Sequence, residues 1–187
     1  MTTPDEQACR AALRAASGRS DGPIERHSDR VFLLAERLAG ERPIDRELLR
    51  CACLLHDIGL YPSVASRDAY VTDGRVLAER LLAGWEPQRL RVCGDAIERH
   101  HELRSQAHRG LEVELLRVAD RIEVSQGVLR AGLSRDVVRE IRREIPVRGF
   151  VPEVLRGLGR AARERPASLP RIFFPRGRAG QDRNSGN

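Results

Sequence analysis

LLRCACLLHDIG, residues 48–59, would be apolar almost all round if wound into a helix, and only near its end do His56 and Asp57 stand side by side before Gly59. A surface helix carries one apolar stripe, so a helix apolar on nearly every side belongs at the centre of a bundle. Asp45 is placed to cap its start and Gly59 to end it. A carboxylate and an imidazole buried together are costly unless a cation or hydrogen bonds compensate them, so this pair needs partners from elsewhere in the chain.

On the N-terminal side, residues 4–16 read as a short amphipathic helix stopped by SGRSDGP, and a second helix starts after Pro23 with Val31, Leu34 and Leu38 in its stripe. His27 falls in its first turns. On the C-terminal side, the loop YPSVASRDAYVTDG (61–74) leads into a helix over RVLAERLLAGW (75–85). A fifth follows Pro87, carries Leu90, Val92, Cys93, Ala96 and Ile97 on one face, and reaches His100 and His101. Gly110 precedes LEVELLRVADRIEVSQG (111–127), which holds Asp120 mid-helix, and two weaker helices are predicted near 134–144 and 150–164.

With 187 residues and only 4% aromatics, the chain is expected to be all-α, a single-domain helical bundle over residues 1–170. Residues 171–187 are expected to form a basic, disordered tail. No stretch approaches the roughly 18 apolar residues of a membrane span and the N-terminus is polar, so no membrane role and a cytoplasmic location are expected. Cys9, Cys51, Cys53 and Cys93 lack CxxC spacing and read as buried free thiols. All 33 basic residues are arginine; of the formal +6, residues 160–187 hold +5, leaving a nearly neutral body and making nucleic acid an unlikely partner.

The polar residues in apolar surroundings are His27, His56, Asp57, His100, His101 and Asp120, spread over four helices. That is how a helical domain builds an interior metal site. Two imidazoles and two carboxylates suit one divalent ion of the Zn, Fe, Mn, Co or Ni group without choosing among them. Such an ion acidifies bound water into a nucleophile at neutral pH, and a carboxylate or a nearby histidine can handle the protons. Singly, each residue has a blander reading as a cap or a solvated helix face; for Asp120 the neighbours Leu116, Val118, Ala119 and Ile122 argue against it.

In order and helical context, His27, His56-Asp57 and Asp120 resemble the signature of the HD superfamily of helical metal-dependent hydrolases, with LHDIG the most specific piece. The resemblance covers roughly residues 25–130. It implies that His27, His56, Asp57 and Asp120 are metal ligands, with Asp57 and Asp120 also handling the attacking water. His100 matches a position where many members place a further histidine, so the catalytic set is Asp57, His100 and Asp120. Of the two, His100 is favoured over His101 to point inward, because helix neighbours diverge by about 100°, and His108 is expected to lie on the surface.

VTDG, with Asp73, stands where two-metal members add a histidine, which favours a single ion. Leu60 stands where phosphohydrolase branches carry lysine or glutamate. HSDRVFLLAERLA, RDAYVTDGRVLAERLL and DAIERHH are closest in outline to cyanamide-hydratase-like members. The expected function is therefore a hydrolase or hydratase of a small electrophilic, nitrile- or amide-like molecule. A phosphohydrolase using Arg26, Arg30, Arg67, Arg99 or Arg104 as a phosphate clamp is the alternative, and a non-catalytic ligand-binding module the third. The oligomeric state has no signal in the sequence.

Overall fold

The computed structural model describes residues 2–175, and among them every regular element is helical. The helices are α1 (Pro4–Ser17), α2 (Pro23–Ala39), α3 (Arg46–Leu55), α4 (Tyr70–Leu81), α5 (Pro87–Arg99), α6 (Leu111–Val124), α7 (Arg135–Glu144), α8 (Phe150–Glu164) and the single turn α9 (Pro170–Phe173). Local chemistry sets their starts: Thr3, Asp45, Glu86 and Ser134 accept backbone N–H bonds at the N-termini of α1, α3, α5 and α7, and prolines open α1, α2 and α5.

The all-α bundle anticipated from α3 is what forms. Leu48, Leu49, Cys51, Ala52, Cys53, Leu54 and Leu55 are all buried, and α1, α2, α4, α5 and α6 pack round this helix. The four cysteines are buried free thiols. Helix α2 lies along α6, and both α7 and α8 return to pack on α2. Among the described residues no helix is long and apolar enough to cross a membrane.

Three boundaries differ from expectation. First, α3 stops at Leu55: His56 is its cap, Asp57 leaves the helical region at φ −106°, ψ 2°, and Ile58–Leu60 form a 3-10 turn. The His56-Asp57 pair thus sits on the turn that ends the central helix. At Gly59 any Cβ would collide with the Tyr70 carbonyl, so only glycine lets α4 approach.

Second, α4 begins at Tyr70, five residues early. The Asp73 carboxylate accepts from Ser66 N (3.0 Å), Ser66 Oγ (2.5 Å) and Arg165 Nη1 (2.6 Å), folding the loop back and burying Tyr70 and Val71. Asp73 is therefore a loop clamp. Third, the tail boundary drawn at residue 170 cuts through packed structure: α9 contacts α5, and Ile172 is buried. The rest of the expected tail, residues 176–187, lies outside the described residues.

Candidate metal centre

Four elements bring the buried polar groups together. His27 comes from the second turn of α2 and Asp120 from the last turns of α6, carried face to face by the packing of those helices. His56 and Asp57 come from the turn after α3, and His100 from the end of α5. His27 Nε2 lies 3.1 Å from His56 Nε2, 3.1 Å from Asp120 Oδ1 and 3.6 Å from Asp57 Oδ2. His56 Nε2 lies 3.4 Å from Asp57 Oδ2 and 3.8 Å from Asp120 Oδ1. Donor atoms around one ion at about 2.1 Å sit about 3.0–3.4 Å apart, and His27, His56 and Asp57 form one close donor group that could hold a divalent ion, with Asp120 against His27.

Hydrogen bonding supports the same reading. His56 Nδ1 donates to the Cys53 carbonyl at 2.7 Å and His100 Nδ1 to the Ile97 carbonyl at 2.6 Å, which turns the Nε2 lone pair of each ring inward. His100 Nε2 is buried without a hydrogen-bond partner, 3.7 Å from Asp57 Oδ1. Two imidazole nitrogens facing each other at 3.1 Å, beside two buried carboxylates and one orphaned acceptor, make a donor set suited to a cation.

The electrostatics are polarised. Burial works against the charged form of His27, yet the Asp120 and Glu123 carboxylates overcome it and raise its pKa to about 9. Burial lowers His100 to about 3, helped by the neighbouring His101 and His56, and also lowers His56. Burial opposes ionisation of Asp57 and Asp120 too; the surrounding imidazoles, and for Asp120 the His27 hydrogen bond, reverse that and hold both below the usual carboxylate range. A ligating imidazole must be neutral, so an ion held here would displace the His27 proton.

His101 also reaches the centre, though less deeply buried than His100. Its neighbour His100 is already the cap of α5, so the helical divergence between the two no longer applies, and their ring centroids are 4.0 Å apart. His101 Nδ1 lies 3.8 Å from Asp120 Oδ2, and its Nε2 is 2.5 Å from Tyr70 Oη. Burial, together with the nearby Asp57 and Asp120, holds the Tyr70 phenol well above its ordinary pKa, so the hydroxyl keeps its proton. Asp57, His100 and His101 form a second close donor group. His108 is exposed, as expected.

Sequence reasoning missed Glu123, Tyr70 and Phe150. Glu123 is buried between Ile122 and Val124, three residues beyond Asp120 on α6, where the argument applied to Asp120 holds equally; its Oε1 is 3.7 Å from His27 Nδ1 and 2.5 Å from Arg30 Nη2. Phe150 stacks on His27 at 4.1 Å between centroids. Neither Phe150 nor Tyr70 had a local signal.

Of the arginines named for the alternative phosphate clamp, Arg26, Arg30, Arg67, Arg99 and Arg104, none lines the cavity beside the site among the described residues. Arg30 is fully buried on Glu123, Arg26 bonds the Asp21 side chain and the Arg148 carbonyl, and Arg99 bonds Glu102. A cavity of about 590 Å³ opens from the centre. Asp57, Tyr70, His101 and Asp120 lie at its polar end, Val124, Phe150, Val154, Leu155, Leu158 and Phe173 are among its apolar walls, and no arginine lines it among the described residues.

Comparison with known families agrees with the geometry. The HD domain model matches residues 24–125, more than half the chain, and the chain belongs to the HD domain family. No curated protein matches the sequence. The matched span runs from the start of α2 to the end of α6 and contains every candidate ligand, whereas the cavity wall built by α8 and α9 lies beyond it.

Proposed function

We propose that this chain is a metal-dependent hydrolase or hydratase whose substrate joins an uncharged, polarised head, nitrile- or amide-like, to an apolar body. The observation that carries this reading is the cavity: apolar walls, two carboxylates at its polar end and, among the described residues, no arginine. A phosphate ester would bring its own negative charge beside Asp57 and Asp120 without a guanidinium to meet it. An uncharged head avoids that repulsion.

His27, His56, Asp57 and Asp120 would hold one divalent ion, which when bound supplies Lewis acidity and makes water easier to deprotonate. The Cys53 carbonyl keeps His56 in the ligating tautomer. Asp57 and Asp120 each have a second oxygen with which to orient water and accept its proton. His100, wholly buried with its Nε2 lone pair turned inward, would offer a further donor beside Asp57. His101 lines the cavity and is the better placed of the two to pass a proton to the substrate head, with Tyr70 fixing its ring. The walls from Phe150 to Phe173, with Leu155 and Phe173 themselves exposed, would seat the apolar body and lose contact with water as it binds.

Metal analysis of the purified chain followed by a turnover screen tests the reading. Zinc, iron, manganese, cobalt or nickel near one per chain, with metal-dependent turnover of aryl or alkyl nitriles and amides, is expected. Metal-dependent turnover of nucleoside monophosphates or cyclic dinucleotides instead would transfer the site to the phosphohydrolase reading. Metal without any turnover would favour a ligand-binding module.

A further inference from the structure

A second concavity, of about 620 Å³, lies between the C-terminal end of α6 and α7 and shares no lining residue with the metal-site cavity. Arg130, Arg135, Arg139, Arg142 and Arg143 line it together with Gln126 and Val138, and no carboxylate does so among the described residues. Such concentration is unusual in a body whose first 159 residues carry a net charge of only +1.

The pairing of these guanidiniums is incomplete. Arg142 reaches Glu123 Oε2 at 3.3 Å, but Arg30 already engages that carboxylate. Arg139 has only a 3.7 Å contact with the exposed Asp136, and Arg130 only the Gly127 carbonyl at 3.4 Å. Arg135 and Arg143 have no ion pair or hydrogen bond among the described residues. Arg135 is also the first residue of α7, a cation at the positive end of the helix dipole, where a bound anion relieves the repulsion.

We propose that this concavity binds a small polyanion carrying two or more phosphoryl groups, of the pyrophosphate type. One phosphate would leave most of the five cations unmet, and a concave pocket of this size suits a compact ligand better than the continuous basic stripe an extended nucleic acid needs. The inference does not depend on the reaction proposed for the metal centre.

Calorimetric titration of the full chain with inorganic pyrophosphate, at an ionic strength near 0.15 M, provides the test. Saturable one-to-one binding is expected, weakened at least about tenfold in the double variant Arg135→Gln/Arg139→Gln, whose two positions are exposed, and retained in Asp57→Ala. ADP titrated in parallel separates the sources: tighter binding than pyrophosphate assigns a nucleotide, and equal binding assigns the phosphates alone. The proposal is overturned by absent or unsaturable binding, by indifference to the double variant, or by loss in Asp57→Ala, which would place the anion at the metal centre. Affinity for a single-stranded oligonucleotide that exceeds pyrophosphate and grows with length would also overturn it, in favour of a nucleic-acid surface.

Discussion

Oε1 of Glu123 sits 3.7 Å behind Nδ1 of His27, on the side of the ring away from Asp120. A carboxylate behind a ligating imidazole fixes the ring and raises its basicity, and losing such a partner costs roughly 10–100-fold in metal affinity. Glu123→Gln is therefore expected to weaken divalent-metal binding by about that factor while helicity is kept. Affinity measured against a competing chelator checks this. An unchanged value would reduce Glu123 to a counter-ion for Arg30.

Asp57 is the donor common to both close donor groups. Its replacement by alanine should remove bound metal and activity together while the helices persist. Anything that binds only the folded state stabilises it, so chelation should lower the melting temperature of the native chain and leave that of Asp57→Ala unmoved. Equal sensitivity of both proteins to chelator would sink the ligand assignment.

Much of this centre was legible in the sequence because burial made it so. His56, Asp57 and Asp120 stand among apolar neighbours, and a charge that cannot reach water must find a partner. The apolar circumference of residues 48–55 placed α3 at the middle for the same reason. What could not be read were the contacts made by turning the chain: where α3 stops, the end of α5 that swings His101 inward, and the clamp by which Asp73 starts α4 at Tyr70. The pairing of the arginines was equally hidden, since the carboxylates that occupy Arg30 and Arg99 come from distant or irregular segments.

Gly59 is where this hidden geometry is most exposed to test. A methyl there meets backbone, the Tyr70 carbonyl, which cannot move without shifting the start of α4. Gly59→Ala should cost about 1–3 kcal/mol in denaturant unfolding, the usual range for forced overpacking, and lower turnover through displacement of Tyr70. Native stability with full activity would show that the approach of α4 is not constrained.

Glu25 ties α1 to α2. Its carboxylate accepts from Arg10 (2.8 Å), Arg14 (2.7 Å) and the Asp21 backbone N–H (2.9 Å). Burial opposes its ionisation, but the two guanidiniums prevail and hold its pKa below the ordinary 4.5. A depressed folded-state pKa gives stability that is present above about pH 4.5 and is lost as pH falls through the folded value. Glu25→Gln should lower stability at pH 7 by about 1–3 kcal/mol and by progressively less under acid. Unfolding curves for both proteins from pH 7 to 3 decide it; a deficit that stays constant with pH would mean that Glu25 contributes shape but not charge.

The Tyr70–His101 pair separates proton handling from metal holding. Tyr70 keeps its proton and its hydroxyl pairs with His101 Nε2, while His101 Nδ1 lies 3.8 Å from Asp120. If His101 serves the substrate and does not hold the ion, His101→Gln should reduce kcat by about 10²–10⁴-fold, the usual worth of a positioned acid or base, with metal content intact. Tyr70→Phe removes only the hydroxyl that fixes the ring, so its loss should be smaller and should fall on kcat more than on KM. Loss of metal in His101→Gln would instead make His101 a ligand, in the second donor group with Asp57 and His100. The outcome turns on one distinction: His101 lines the cavity, whereas His100, aimed at Asp57 and buried behind it, does not.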